Sequence, residues 1–239
     1  DIYEELKDKC NVYYAIASIR DWYGIGPVFG MFRPQIIYHV AAYKHVALME
    51  EWPEEAYKTN VQGTENVLKL ATLHAAEKVI FISSDKAVNP TSVMGTTKQH
   101  GEQLCKEYNS KKTKCISVRF GNVMPSRGSV VPIFQKLLAE GKDLEVTDKK
   151  MQRYFMGIYD AAELILRATK ISKGGEIFIL DMGKPIYIAD LAKLMIKLSG
   201  KDLDIKFTKP NKGEKFSEEL MTNEETLKAK RIGNLWIIK

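Results

Sequence analysis

The sequence of 239 residues lacks several features that mark whole classes of protein. It has only three cysteines, Cys10, Cys105 and Cys115, without a Cys-x-x-Cys pair, which argues against a disulfide framework and a structural zinc site. No apolar run approaches the roughly 18 residues of a membrane-spanning helix, and no secretory leader opens the chain. We therefore expect no metal ion and a reducing compartment, the cytoplasm.

A compact basic run is also absent. Lysine and arginine number 36 against 30 acidic residues, a formal net charge of +6. The basic residues are scattered among acidic ones and do not form the aromatic-interleaved patch of a nucleic-acid groove. We expect a solvated, lysine-rich surface rather than a polyanion site, and no nucleic-acid partner.

Short apolar runs alternate with longer helical patterns along the chain. The pattern predicts strands at residues 11–17, 35–41, 78–84, 115–120 and 176–180. It predicts helices at residues 53–75, 94–110, 130–140, 159–169 and 188–199. The run KVIFISS is apolar on both faces, which is typical of a parallel strand covered by helices on both sides. This alternation predicts an α/β fold with a doubly wound parallel sheet.

Residues 22–33 interrupt the pattern, because they contain three glycines and Pro27 where a crossover helix is expected. In a helix interior, glycine costs about 1 kcal/mol and proline about 3 kcal/mol relative to alanine. We expect a loop or a short, distorted helix here.

Polar clusters follow three of the predicted strands, at residues 39–45, 83–86 and 121–123. Ligands of an open parallel sheet bind beyond the carboxyl ends of its strands, so we expect these clusters to meet at one rim. Met94 and Lys98 lie four residues apart on one helix face nearby. Taken alone, these two residues and Asn60 are typical of ordinary core or surface positions.

Three long motifs carry a family resemblance. They are HVAAYKHVALMEEWPEEAYKTNVQGTENV, FISSDKAVNPTSVMGTTKQHGE and VRFGNVMPSRGSVVPIF, joined by RYFM, GGEIFILDMG and a GEK followed by EEL. The sequence resembles the extended short-chain dehydrogenase/reductases of polysaccharide biosynthesis. Within them it is most similar to the CapD-like UDP-N-acetylglucosamine 4,6-dehydratases, over about residues 34–222.

The resemblance implies a Rossmann-like nucleotide-binding domain at residues 1–123. A smaller, mainly nucleotide-sugar-binding portion at 124–239 follows, of which segments such as 142–180 return to the main sheet. The family's glycine-rich GxxGxxG loop, which cradles the cofactor phosphates, occurs nowhere in this sequence, and Ser18 stands where the family has an adenine-binding Asp. We expect a sheet lacking its first βαβ portion, an N-terminally incomplete chain and weak NADP binding.

The resemblance also implies roles for individual residues. It assigns five to catalysis: Ser84, Asp85, Lys86, Met94 and Lys98. The cofactor set is His39, Ala41, Ala42, Lys44, Asn60 and Lys98. The substrate set is Lys44, His45, Asn122, Arg127, Ser129, Val130, Arg153 and Glu214. Met94 departs from the superfamily's YxxxK tyrosine, and since a thioether transfers no proton, we expect Asp85 or Lys86 to do so.

The resemblance implies a lyase that catalyses the 4,6-dehydration of a UDP-N-acetylhexosamine. The expected substrate is UDP-N-acetylglucosamine, and the expected cofactor is NADP or NAD. Oxidation at carbon 4 acidifies the carbon-5 proton, water leaves carbon 6, and the stored hydride returns there. A UDP-sugar 4-epimerase is the alternative enzyme, but it needs no carbon-5 base, so Asp85 and Lys86 favour dehydration. A degraded, non-catalytic binding module is the alternative from another class, favoured by Ser18 and the missing glycine loop.

The resemblance implies two kinds of association besides the UDP-sugar substrate. Family members pair through helix bundles, so we expect a homo-oligomer. Membrane attachment is expected only through an N-terminal region outside this sequence, in which case the protein lies at the cytoplasmic face of a membrane.

Overall fold

The structure is a computed structural model that describes residues 2–126 and 128–239. Its strands are β1 (Ile36–His39), β2 (Lys78–Ile82), β3 (Lys114–Arg119), β4 (Asn122–Met124), β5 (Leu144–Val146), β6 (Gln152–Arg153), β7 (Phe155–Gly157), β8 (Ile177–Leu180), β9 (Ile186–Tyr187), β10 (Ile205–Phe207), β11 (Lys230–Ile232) and β12 (Leu235–Ile238).

Its helices are α1 (Ile2–Leu6), α2 (Trp22–Phe32), α3 (Val46–Glu51), α4 (Pro53–Tyr57), α5 (Gly63–Leu73), α6 (Val93–Tyr108), α7 (Val130–Ala139), α8 (Ile158–Ile171), α9 (Ile188–Ser199) and α10 (Asn223–Lys228). A π-helical turn, Lys58–Gln62, joins α4 to α5, and a 3-10 turn, Asp85–Ala87, follows β2. Among the described residues, no helix combines the length and apolarity needed to cross a membrane.

The main sheet has the strand order β1-β2-β3-β8-β12-β11. Its first four strands are parallel, whereas β12 runs antiparallel to β8 and β11 antiparallel to β12. The predicted α/β class with a Rossmann-like, parallel-dominated sheet is confirmed. Because the parallel strands share one direction, the loops that follow them leave the sheet at one rim.

Helices cover both faces of this sheet, because successive side chains of a strand point to opposite faces. Val79 and Phe81 of β2 pack with Leu68 of α5 on one face. Ile80, between them in sequence, packs with Leu164 of α8 on the other. The apolar character of both faces of β2 is therefore what allows the sheet to be doubly wound.

A smaller unit with its own core lies outside the main sheet. There β5 pairs parallel with β10, and Phe134 of α7, Leu144 of β5 and Ile188 of α9 are buried together. Strands β8, β11 and β12 also follow residue 123 in the chain but lie in the main sheet. The division into two binding portions at that residue stays a prediction.

The predicted elements correspond to observed ones except at the beginning of the chain. The strand predicted at residues 11–17 is wrong, since this segment has no regular secondary structure and Ile16 is fully exposed. An apolar sequence pattern alone is insufficient to form a strand, because the strand's backbone also needs hydrogen-bond partners on a neighbouring strand. Among the described residues, β1 has β2 as its sole neighbour in the sheet.

Residues 22–32 form a helix, α2, in spite of Pro27 and three glycines. Its start is stabilised by Asp21, whose side chain accepts a hydrogen bond of 3.0 Å from the backbone N–H of Tyr23. Phe29 is buried beside Val67 and Leu70 of α5. Packing of this apolar face offsets the poor helix propensity of the segment.

We expect Gly101→Ala to destabilise the protein, because α6 crosses β2 closely at this glycine. A Cβ at Gly101 would lie 2.3 Å from Cζ of the buried Phe81. Overpacking of this kind costs about 1–3 kcal/mol of unfolding free energy, measurable by urea denaturation.

Gly30→Ala in α2 is the matched control, since its Cβ would meet His74 Cε1 at an ordinary contact distance of 3.7 Å. That substitution should be neutral or stabilising by up to about 1 kcal/mol. If Gly101→Ala proves as stable as Gly30→Ala, the close crossing of α6 and β2 is not a packing constraint.

Candidate active site

The loops that follow β2 and β3 are joined directly at the rim of the main sheet. The backbone N–H of Asp85 donates a hydrogen bond of 2.7 Å to the carbonyl of Phe120. Ser84 caps the 3-10 turn after β2, its hydroxyl accepting from the N–H of Lys86 at 3.3 Å. The turn therefore places Asp85 and Lys86 at the point where ligands bind in parallel sheets.

Asp85 and Lys86 form an ion pair in which Asp85 is buried and Lys86 is partly exposed. The Nζ of Lys86 donates to Asp85 Oδ1 at 3.0 Å, and the Ser84 hydroxyl donates to the same oxygen at 2.9 Å. Asp85 is 0% exposed, and its other oxygen, Oδ2, has no hydrogen-bond partner. Lys86 also lies 3.4 Å from Oε1 of the buried Glu218.

The charge state of Lys86 follows from these neighbours. Burial lowers the pKa of its ammonium group, but the negative charges of Asp85 and Glu218 outweigh this effect and leave the pKa above its usual value. Lys86 is therefore charged at neutral pH and holds two buried carboxylates together.

A cleft of about 340 Å³ lies beside this ion pair. It contains four predicted site residues: His45, Lys86, Arg153 and Glu214. The remaining lining comes from the start of α3, the residues before α6 and the C-terminal segment: Val46, Ala47, Leu48, Thr91, Ser92, Asn211, Gly213, Lys215 and Glu218. Asp85 lies behind Lys86 and does not line the cleft.

Arg153, at the end of β6, is buried and already engaged. Its Nη2 donates to Glu214 Oε1 at 3.0 Å, and its Nη1 donates to the carbonyl of Lys215 at 2.9 Å. Glu214 also accepts from the backbone N–H of Asn211 at 3.1 Å. The guanidinium group thus orders the C-terminal wall of the cleft.

Met94 and Lys98 lie on the inner side of α6. Met94 packs with Met49 and Ala56, as expected of a core residue. The Lys98 ammonium donates to the carbonyl of Ile82 at 2.7 Å and lies 4.8 Å from the centroid of the Phe81 ring. Burial lowers the pKa of Lys98 to about 8.

Asn60 holds the loop after β1 in place from the π-helical turn. Its Oδ1 accepts from the N–H of Tyr43 at 2.8 Å, and its Nδ2 donates to the carbonyl of Tyr43 and to Thr97 Oγ1, both at 3.0 Å. Asn60 is 1% exposed, so it is not the exposed polar residue that its type alone would predict. Through Tyr43 it fixes the backbone that carries Lys44 and His45.

His39 is a core histidine whose ring is engaged. The Thr64 hydroxyl donates to the carbonyl of Asn60 at 2.7 Å, so it accepts from His39 Nε2 at 2.8 Å. Burial, with a further contribution from the Lys98 charge, lowers the pKa of His39 to about 3. The ring is therefore neutral, with its proton on Nε2.

The other predicted residues are more dispersed. Ala41, Ala42 and Lys44 lie in the loop after β1, outside the lining of the cleft. Asn122 begins β4, where its N–H donates to the carbonyl of Tyr154 at 2.7 Å. Ser129 caps α7, which begins at Val130 and packs into the smaller unit. Arg127 lies outside the described residues.

Sequence reasoning missed the two further charged residues that line the cleft, Lys215 and Glu218. Lys215 donates to the carbonyl of Val88 at 2.7 Å, and Glu218 reaches Lys86. Glu218 was visible only as part of a motif, because no spacing rule relates it to Lys86. Among the described residues, no cluster of histidine, cysteine and acidic side chains has the arrangement of a metal site.

The sequence profile of a family described as polysaccharide biosynthesis protein matches residues 1–239. The chain belongs to the polysaccharide biosynthesis protein family. Probable polysaccharide biosynthesis protein EpsC of Bacillus subtilis is 44% identical over 232 residues, covering 94% of this chain and 39% of EpsC. Capsular polysaccharide biosynthesis protein CapD of Staphylococcus aureus is 46% identical over 215 residues, covering 88% of this chain and 36% of CapD.

Other members and relatives of the family extend the comparison. UDP-glucose 4-epimerase of Rickettsia bellii is 35% identical over 233 residues, which are 95% of this chain and 67% of that enzyme. The solved structure of Pen from Bacillus thuringiensis has 40% sequence identity and a TM-score of 0.92, covering 99% of this chain and 75% of Pen. The chain is thus related to nucleotide-sugar-modifying enzymes with the short-chain dehydrogenase/reductase fold.

We expect His39→Gln to reduce the loss of unfolding free energy that accompanies a fall in pH below about 7. The folded state keeps His39 neutral down to about pH 3, whereas the unfolded chain binds a proton below about pH 6.5. The parent protein should therefore lose about 2 kcal/mol of unfolding free energy through this group as the pH falls from about 7 to 5.

The glutamine side chain of this variant can still donate to Thr64 but has no titratable ring, so the variant should lack this loss. Urea denaturation at both pH values measures it. His100→Gln, a partly exposed histidine of α6, should keep the parental acid loss. Equal acid loss in the parent and His39→Gln would contradict the assignment of His39 as a neutral core residue.

Proposed function

We propose that the protein 4,6-dehydrates a UDP-N-acetylhexosamine, UDP-N-acetylglucosamine in the first instance. The observation that carries the proposal is the Asp85–Lys86 ion pair beside the cleft. Its members occupy positions that the resemblance assigns to acid–base catalysis. The chain spans less than two fifths of EpsC and CapD, so the reaction is attributed to the protein expressed from its complete reading frame.

Dehydration requires two proton transfers at neighbouring carbons. The carbon-5 proton is removed and the carbon-6 hydroxyl leaves as water, so one group must accept a proton and another must donate one. Lys86 faces the cleft and Asp85 lies in contact behind it. A charged Lys86 can accept the carbon-5 proton as it passes one of its own protons to Asp85, and it can then donate a proton to the leaving hydroxyl and recover one from Asp85.

A nicotinamide cofactor, when bound, supplies the oxidation at carbon 4 and the return of hydride. The residues at the inner side of α6 fit such a group. One N–H of the Lys98 ammonium donates to the carbonyl of Ile82, so the remaining N–H groups are available to ribose hydroxyls. Asn60 orders the adjacent loop with Ala41, Ala42 and Lys44, whereas His39 is engaged with Thr64.

The nucleotide sugar is expected to lie along the cleft. Arg153 and Arg127 provide the guanidinium groups that suit a diphosphate. The other proposed substrate contacts are His45, Glu214, Asn122, Ser129, Val130 and Lys44. A preference for NADP and assembly into a homo-oligomer likewise stay predictions.

A UDP-sugar 4-epimerase is the second candidate, and the identity with the Rickettsia bellii enzyme favours it. Both reactions begin by oxidising carbon 4 of the sugar. Epimerisation leaves carbons 5 and 6 unchanged, so it gives Asp85 and Lys86 no role there. The mass of the product therefore separates the two reactions.

The protein expressed from its complete reading frame should convert UDP-N-acetylglucosamine with NADP or NAD into a product lighter by one water. Mass spectrometry of the nucleotide sugar measures this. A product of unchanged mass but altered chromatographic retention identifies an epimerase instead. Absence of turnover, with binding of UDP-sugar retained, identifies a binding module.

In the same assay, Lys86→Met should lower turnover roughly 10²–10⁴-fold, the usual contribution of general acid–base catalysis. Lys212→Met is the matched control, because Lys212 is an exposed lysine paired with Glu50 at 3.7 Å. Full turnover by Lys86→Met would rule out proton transfer through the pair.

A further inference from the structure

Glu218 is the second carboxylate on the Lys86 ammonium, and it comes from a distant part of the chain. Its Oε1 lies 3.4 Å from Lys86 Nζ. Its other oxygen, Oε2, has no hydrogen-bond partner, although the Lys215 ammonium lies 4.0 Å away. That ammonium instead donates to the carbonyl of Val88 at 2.7 Å.

This position is unfavourable for a purely structural glutamate. Glu218 is 4% exposed, and a buried carboxylate normally has each oxygen hydrogen-bonded. An ion pair with one partner oxygen unsatisfied adds little stability, since desolvation offsets the attraction. Glu218 also borders the cleft together with Lys86. The arrangement is therefore better suited to control of Lys86 than to support of the fold.

We propose that Glu218 is a positioning residue that holds the Lys86 ammonium in place in the cleft. The inference rests on the proposed function, because Lys86 matters only if it transfers protons there. The Lys86 ammonium lies 3.0 Å from Asp85, its neighbour in sequence, and 3.4 Å from Glu218. Two carboxylates from different parts of the chain restrict the ammonium group more than Asp85 alone, because the lysine side chain is long and flexible.

The charges that face Lys86 determine the direction of the effect. Asp85 and Glu218 raise the pKa of Lys86, while Arg153 and burial lower it. Arg153 is itself paired with Glu214, and Lys215 stands on the far side of Glu218. Removal of the Glu218 charge leaves one carboxylate against burial and Arg153, so the pKa of Lys86 falls.

The next residue, Glu219, is a matched control. It is exposed, and its Oε2 accepts from Asn89 Nδ2 at 2.6 Å, away from Lys86. Glu218→Gln and Glu219→Gln therefore make the same chemical change at adjacent positions. Glu218→Asp keeps the charge on a shorter side chain and tests whether the charge or the shape matters.

The experiment measures Lys86 directly in the protein expressed from its complete reading frame. Trace acetylation with acetic anhydride modifies neutral amines, and mass spectrometry of the Lys86 peptide gives its rate at each pH. Lys86 is reachable, since 19% of its side chain is exposed. We expect Glu218→Gln to raise this rate several-fold near neutral pH, Glu218→Asp to raise it less, and Glu219→Gln to leave it at the parental value.

Turnover of UDP-N-acetylglucosamine is measured on the same proteins. Glu218→Gln should lower kcat more than it raises KM, and should move the pH profile of kcat/KM to lower pH. Equal Lys86 rates in Glu218→Gln and Glu219→Gln, with circular dichroism showing both folded, would overturn the inference. If instead the rate rises in Glu218→Gln but the parent protein modifies no UDP-sugar, the proposed function is wrong and Glu218 merely holds Lys86.

Discussion

The ammonium group of Lys86 is the contact on which the arrangement of charges in the cleft depends. It lies between Asp85, placed by the end of β2, and Glu218, which comes from the C-terminal segment. Two buried carboxylates repel each other unless a cation lies between them. Lys86 therefore fastens the C-terminal segment to the sheet rim, and that segment also carries Glu214, which engages Arg153. Two further contacts join this segment to the residues after β2: Lys215 donates to the carbonyl of Val88, and Glu219 accepts from Asn89.

A second buried ion group supports the same rim from within the sheet. Arg119, the last residue of β3, makes two hydrogen bonds of 2.7–2.8 Å with Glu102 of α6 and two of 2.8–2.9 Å with Glu225 of α10. The Ser83 hydroxyl donates to Glu102 at 2.5 Å. Such charge-assisted, bidentate contacts are directional. Because Ser83 is the first residue of one polar loop and Arg119 lies two residues before the other, this network supports both loops where they leave the sheet.

The four parallel strands of the main sheet were predictable, and the two antiparallel strands, β11 and β12, were not. β2 is apolar on both faces, and this pattern has few alternatives in a chain with intervening helices. β12 was not predicted, because its four residues form a short apolar run at the end of a polar segment. The strand predicted at residues 11–17 does not form. The local sequence pattern is present there, but among the described residues no neighbouring strand pairs with it. Helix α2 formed because Phe29 found a partner surface on α5.

The amino-acid sequence by itself determined the α/β class, the polar loops after the strands and the family, because these depend on local periodicity and on long motifs. It also placed Asp85 and Lys86 side by side, since neighbours in sequence need no fold to meet. Only the tertiary structure decided that Asp85 is buried behind Lys86, that His39 is a neutral core residue and that Asn60 clamps Tyr43. It alone brought Glu218 to Lys86. Contacts between distant segments depend on how the helices and the C-terminal segment pack, and no local sequence pattern specifies that packing.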